Sequence, residues 1–277
     1  MSSSLTKKPV VLTIAGFDPS GRAGIVADIR TIELLGCAAV AAITSITFQN
    51  SETYFGAVDQ TAQSVRGQIE SMVRQNKIAA VKVGMLPTAE VVSELTSLIS
   101  ELNLPAPVID PVMESSSGGK LMADDAFEVF VTELLPLARV VTPNIPEAEK
   151  FGGMNIRDEE TMHQAAARIR ELGARAVLIK GGHLQQAGAR RQEAGEVNRE
   201  ATDLLDDDGE VTIYRNEWIE VPNVRGTGCM LSSAIAAGLA RGDDMKQAVS
   251  TAKQFVSQAI KNSKLETRNS KPNPTRL

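Results

Sequence analysis

The feature that most constrains this chain is a repeated alternation. Short apolar runs end in polar or glycine-rich exits, and each is followed by a stretch with helical spacing. Residues 10–15 (VVLTIA) form the first run. The turn-rich segment 16–24 leads into a helix in which Ile25, Ile29 and Ile32 share a face, ending near Gly36. The same reading predicts strands over 38–46, 79–83, 108–109, 139–141 and 176–179. Helices are predicted around Val65, Ile69, Met72 and Val73, and over 89–102, 123–137 and 161–172. Continuous apolar runs alternating with amphipathic helices imply βαβ units, a mostly parallel central sheet and helices on both of its faces. Ligands of such sheets sit beyond the C-terminal ends of the strands. The exits to search are therefore 16–21, 47–50, 84–86, 110–113, 142–144 and 180–183.

Beyond the last of these exits the pattern changes. Residues 185–201 are rich in Arg, Glu, Gln and Gly and read as a surface loop. Residues 206–209 (DDDG) read as a turn between runs at 204–205 and 211–214, and 218–221 as a further strand. With no internal repeat, the organisation expected is a polar segment over 1–9, one folded domain over 10–263 and a frayed polar tail over 264–277.

Charge and composition exclude several classes of function. The formal charge is −5, whereas a polyanion binder carries a basic excess, and aromatics at 4% are too few for stacking platforms, so no nucleic-acid partner is expected. Two cysteines (Cys37, Cys229) and two histidines (His163, His183) make neither a disulfide scaffold nor a zinc site. Low cysteine usage and a start without a secretory pattern predict a cytoplasmic setting. No run of about 18 apolar residues exists, so no membrane partner is expected either.

The strongest chemical signal is Gly226-Thr227-Gly228-Cys229, followed by a helix of small residues over 230–239. Glycines let the backbone approach a ligand, and the helix N-terminus adds partial positive charge, so the segment suits an oxyanion or a transferring phosphoryl group. Cys229 falls in the first turn, where a thiol pKa is typically lowered, which would make it a proton acceptor. A tight turn with a packed cysteine has the same composition. The segment is not a P-loop: Gly118-Gly119-Lys120 is followed by Leu121, and residues 21–24 do not fit the dinucleotide fingerprint.

Six blocks in order carry a resemblance: AGFDPSGRAGIVAD (15–28), VGMLP (83–87), DPVM (110–113), TPNIPEAE (142–149), IKGGHL (179–184) and GTGCMLSSAIAAGLARG (226–242). In these the chain resembles the hydroxymethylpyrimidine/phosphomethylpyrimidine kinases of thiamine biosynthesis, over roughly residues 10–260. The resemblance implies a ribokinase-like three-layer α/β sandwich. It implies ATP- and Mg²⁺-dependent phosphorylation of 4-amino-5-hydroxymethyl-2-methylpyrimidine and then of its monophosphate, by a homodimer. Gly226, Thr227 and Gly228 would form the anion hole, with Cys229 where many sugar kinases of the superfamily place an aspartate base. Gly16, Asp28 and Gln49 match substrate-side positions, and Val112 and Met113 would supply apolar contact to the ring.

Lys180 would neutralise phosphate, and Asp110 would face metal and phosphates or simply turn the chain before Pro111. Asn144 and Glu147, an N-x-x-E unit, suit magnesium or equally a helix cap. Asp28 could instead make a structural hydrogen bond, and His183 reads as a loop residue. The chain departs from the family at Arg22, where a glycine is usual; over 114–118, which lacks a loop lysine; at Arg225, which replaces a histidine; and in the length of 185–201. These departures leave two other readings: a pyridoxal kinase, and a non-catalytic pyrimidine-binding or regulatory relative.

Overall fold

A computed structural model describes residues 8–50, 52–115, 118–182, 200–217, 219 and 225–269, with side chains as far as 263. The strands β1 (Val10–Phe17), β2 (Ala38–Gln49), β3 (Tyr54–Asp59), β4 (Ile78–Val83), β5 (Val108–Ile109), β6 (Val140–Val141), β7 (Ala176–Lys180), β8 (Glu200–Asp207) and β9 (Glu210–Glu217) form one nine-stranded sheet in the order β3-β2-β1-β4-β5-β6-β7-β8-β9. From β2 to β7 every neighbouring pair is parallel, while β3, β8 and β9 join antiparallel at the two ends.

Helices cover both faces, so the central strands are buried on both sides and alternate between two cores. Leu12 and Ile14 of β1 face the core closed by α2 (Ala62–Val73), α3 (Ala89–Glu101), α4 (Asp124–Val129), α5 (Ile145–Gly152) and α6 (Glu159–Glu171). Val11 faces the other core, closed by α1 (Gly24–Leu34), α7 (Thr227–Arg241) and α8 (Met245–Asn269). Small residues from Ser232 to Gly238 let α7 pack close, and a Cβ on Gly238 would lie 2.9 Å from the Ala248 Cβ.

Several boundaries differ from those read in the sequence. The helix expected over 123–137 is α-helical only to Val129; a π turn (Phe130–Leu134) and a 3₁₀ turn (Leu135–Leu137) follow, and Pro136 within the latter has no N–H to continue the ladder. The strand β3 and the helix α8 were not anticipated. α8 carries the backbone helix to Asn269, into the segment expected to fray. Glu200 and Ala201, placed in the loop by sequence, open β8. The DDDG turn is a two-residue hairpin with positive φ at Asp208 (53°) and Gly209 (91°), the handedness that matches strand twist. The rest of the 185–201 loop, His183, and the strand expected at 218–221 apart from Ile219 lie outside the described residues.

Candidate active site

The exits of β1, β2, β4 and β5 converge at one edge of the sheet, under the N-terminus of α7. Between them lies a pocket walled by Gly16 at the end of β1 and Asp18 just after it, Thr47 and Gln49 at the end of β2, and Gly84 and Met85 after β4. Val112, Leu121, Cys229 and Lys82 also line it. Asp18 holds the first wall in shape: its carboxylate accepts from the Ser20 amide (2.9 Å), the Ser20 hydroxyl (2.7 Å) and the Ala23 amide (3.0 Å). The Gln49 amide, which can both donate and accept, stands at the mouth with apolar Met85, Val112 and Leu121, a composition suited to a small polar heteroaromatic ring.

Beneath this pocket is a buried polar network. Lys82 and Asp28 are both 0% exposed and form an ion pair at 2.8 Å. Asp28 also accepts from the Thr13 hydroxyl at 2.7 Å and the Ser233 hydroxyl at 2.8 Å, so its acceptor capacity is largely spent. Burial alone would lower the Lys82 pKa, but Asp28, with Cys229 and Asp110 behind it, outweighs that and holds the ammonium charged. A Cβ on Gly84 would come within 2.8 Å of Lys82 Nζ, so glycine there leaves room for the head group.

Gly226 caps α7 in the left-handed region (φ 78°), with no side-chain cap. The amides of the first turn are thus left for a ligand. Any side chain at 226 would collide with the Arg22 carbonyl, 1.9 Å from an ideal Cβ. Gly228 lies over a second cluster: a Cβ there would be 3.2 Å from Lys180 Nζ and 3.4 Å from Asp110 Oδ2. Lys180 and Asp110 pair at 2.9 Å. Burial would lower the Lys180 pKa, but Asp110 and Glu147 reverse that and raise it. Asn144 and Glu147 form a reciprocal capping box at the start of α5. Burial pushes the Glu147 carboxyl up to about 7; Asp110 adds to this, and Lys180 and the amides of Asn144 and Met113 oppose it.

Of the residues singled out by sequence, Gly16, Gln49, Val112 and Cys229 share the pocket wall, and Asp110, Asn144, Glu147, Lys180 and Gly228 gather beside it. Two of the expected substrate contacts lie off the pocket wall. Asp28 lies under the pocket, fully engaged, and Met113 turns into the core with 7% exposure. The expectation for Cys229 is also reversed. Burial pushes its thiol up to about 12, helped by Asp28 and Asp110, against the opposing pull of Lys82 and the Gly24 amide. Sequence reasoning passed over Lys82, although a lysine inside the apolar run 79–83 was the available signal. Arg22 lies outside the pocket, and Arg225 donates from Nη1 to the Asn50 carbonyl at 3.0 Å. Glu114 and Lys120 face each other in an isolated antiparallel β-bridge, and Lys120 pairs with Asp124 at 2.7 Å.

A mostly parallel α/β sheet with a glycine-led helix N-terminus beside a small pocket suits the transfer of a phosphoryl group to a small molecule. The family model for phosphomethylpyrimidine kinase matches residues 18–274. A hydroxymethylpyrimidine/phosphomethylpyrimidine kinase of Streptomyces coelicolor is 41% identical over 252 residues, covering 91% of this chain and 88% of that protein. The crystal structure of a phosphomethylpyrimidine kinase from Clostridium difficile superposes with a TM-score of 0.77 at 36% identity, covering 91% of this chain and all of that one. A Bacillus subtilis pyridoxal kinase in complex with ADP gives a TM-score of 0.81 at 32% identity, covering 92% of each chain. The chain belongs to the phosphomethylpyrimidine kinase family. It is a phosphotransferase, and the relatives it matches are named as kinases of hydroxymethylpyrimidine and phosphomethylpyrimidine.

Proposed function

We propose that the pocket at Gln49 holds the aminopyrimidine and that the α7 N-terminus receives the phosphoryl group transferred from ATP. The observation that carries this reading is the position of Cys229 on the pocket wall, one residue after Gly228, whose Cα lies over the Lys180–Asp110 pair. Ring and phosphate subsites thus meet at the same turn of helix. The hydroxymethyl oxygen attacks the γ-phosphorus, the bond to the β-phosphate oxygen breaks, and ADP leaves. The amides of Thr227, Gly228 and Cys229 hold the charge on the transferred group, and Lys180 neutralises the phosphates. The hydroxyl proton passes to Cys229 Sγ in its thiolate form, the thiol having first lost its own proton to solvent. With its pKa pushed up to about 12, the thiol is rarely ionised at rest but is a strong acceptor once ionised.

Among the described residues no group of three or more His, Cys, Asp or Glu converges on a metal position. Asp110 and Glu147 nevertheless fit magnesium, which is usually bound by one or two carboxylates together with substrate phosphates and water. A carboxyl buried and raised to about 7 beside a second carboxylate is also a site that gains from a cation. When bound there, magnesium would supply charge neutralisation for the phosphates. The capping box and the metal role are compatible, since Glu147 Oε2 accepts from the Asn144 amide while Oε1 makes no bond in that box.

Exposed Ile46 (40%), Phe48 (49%), Phe55 (69%) and Val58 (53%) on the β2–β3 hairpin support a homodimer. A cytoplasmic setting accords with two free cysteines. Among the described residues no helix is long and apolar enough to cross a membrane. The test is a coupled assay with Mg²⁺-ATP and hydroxymethylpyrimidine, its monophosphate or pyridoxal, with Gly226→Asp as control. Turnover of both pyrimidines that disappears in the control is expected. Preference for pyridoxal would move the substrate, and binding without turnover would overturn the catalytic reading.

A further inference from the structure

On the far side of the 21–24 segment from the substrate pocket lies a second cleft, of about 330 Å³. Its long walls are α1, through Arg30 and Leu34, and α8, through Phe255 and Ile260; Arg22 and Arg225 close one end. This volume is within the range of small-molecule sites. Its lining combines two properties. Leu34, Phe255 and Ile260 make an apolar floor, with Leu34 75% exposed although it is a large aliphatic side chain. Three arginines share the cleft, and none pairs with a carboxylate among the described residues.

Two of the three each donate to a backbone carbonyl, Arg30 Nη1 to that of Gly21 (3.1 Å) and Arg225 Nη1 to that of Asn50 (3.0 Å). Each guanidinium carries five N–H donors, so most remain available. In a chain with five more acidic than basic residues, three arginines without acidic partners around one apolar cleft are out of keeping with the rest of the surface. Guanidinium groups bind phosphate through paired donors and stack on flat rings. The apolar floor suits a ring rather than a bare anion.

We infer that this cleft binds a small aromatic phosphate ester, its phosphate held by Arg22, Arg30 and Arg225 and its ring resting on Leu34 and Phe255. The cleft is built from the same backbone as the phosphoryl-transfer loop. The Arg22 carbonyl abuts Gly226, where no Cβ fits, and Arg225 is bonded to Gly226 directly. An occupant that fixes both arginines fixes the entry to α7, so the site is regulatory in character. Two of the three arginines, Arg22 and Arg225, are also among the positions where the sequence departs from the pattern of the family it resembles.

Titration calorimetry on the full chain tests this, with the active site saturated by ADP and hydroxymethylpyrimidine and phenyl phosphate as the probe. Inorganic phosphate and benzyl alcohol serve as single-property controls. Phenyl phosphate is expected to bind at least tenfold more tightly than either control. Arg30→Glu and, independently, Leu34→Asp, both at exposed positions of α1, are expected to weaken it at least tenfold while the thermal midpoint stays within a few degrees. Binding equal to that of inorganic phosphate would overturn the ring component. Binding that either variant leaves unchanged, or that appears only when ADP is omitted, would assign the probe to the active site and overturn the proposal.

Discussion

Replacing Asp28 by asparagine keeps the shape of the side chain but leaves the Lys82 ammonium fully buried without its countercharge. In the wild type that carboxylate takes hydrogen bonds from Lys82, Thr13 and Ser233, at 2.8, 2.7 and 2.8 Å, with no solvent access. Breaking a buried pair from one side costs about 3–5 kcal/mol, whereas replacing both partners by apolar groups is often neutral. With a urea m-value of about 3 kcal/mol/M for a chain of this size, Asp28→Asn should lower the denaturation midpoint by about 1–1.7 M. Asp28→Asn/Lys82→Met should recover most of that loss.

The pH dependence has a definite sign. Without Asp28, burial lowers the folded-state pKa of Lys82 below that of the unfolded chain, so above the lowered value the unfolded state binds more protons. Stability of the single variant relative to wild type should therefore rise from neutral pH toward about 10, the ordinary lysine value. Urea titrations of all three proteins at pH 7, 8.5 and 9.5 read both effects. A single-variant loss below 1 kcal/mol, or a loss that does not change with pH, would refute the reasoning.

Gly226→Ala should lower kcat at least 100-fold in stopped assays while circular dichroism is retained, because an added Cβ meets the Arg22 carbonyl and must displace the anion hole. The kcat/KM of the wild type should climb between pH 7 and 9 as the Cys229 thiol, pushed up to about 12, ionises more often. That of Cys229→Ala should be lower and flat, and parallel profiles would remove the thiol from the proton path. Gln49→Leu should cut kcat/KM for hydroxymethylpyrimidine at least tenfold with little change in the KM for ATP, measured by varying each substrate in turn. Phe55→Glu should shift the mass seen by light scattering from dimer to monomer, leaving the thermal midpoint within a few degrees.

The parallel part of the sheet was legible because strands buried on both faces write continuous apolar runs, and the helices between them keep a 3.6-residue period. The β3 strand was hidden because its residues face solvent on an edge: Phe55 and Val58 are exposed and Gly56 interrupts the run. α8 escaped notice although Met245, Ala248, Val249 and Ala252 mark its buried face, since alanines give a weak contrast against a polar background. At the site, the glycine turn and the strand exits were visible as composition. The ionisation of Cys229 was not, because it depends on burial among Asp28, Lys82 and Asp110, which are distant in sequence. Met113 and Asp28 show the same limit: adjacency within a motif does not say which neighbour faces the ligand.

The core behind α1 joins Val11, Ile32 and Ala80 to Leu231, Ile235, Ala236 and Val249. During synthesis, about 150 residues separate Ala80 from the first of its α7 partners. At roughly 5–20 residues per second, that face of the sheet waits on the order of 8–30 s for its cover. A nascent or truncated chain ending before residue 227 therefore presents an apolar sheet surface with half its layers missing. Emergence of α7 and α8, rather than the early emergence of the parallel strands, sets when this face is covered, and chaperone capture should be concentrated in that interval.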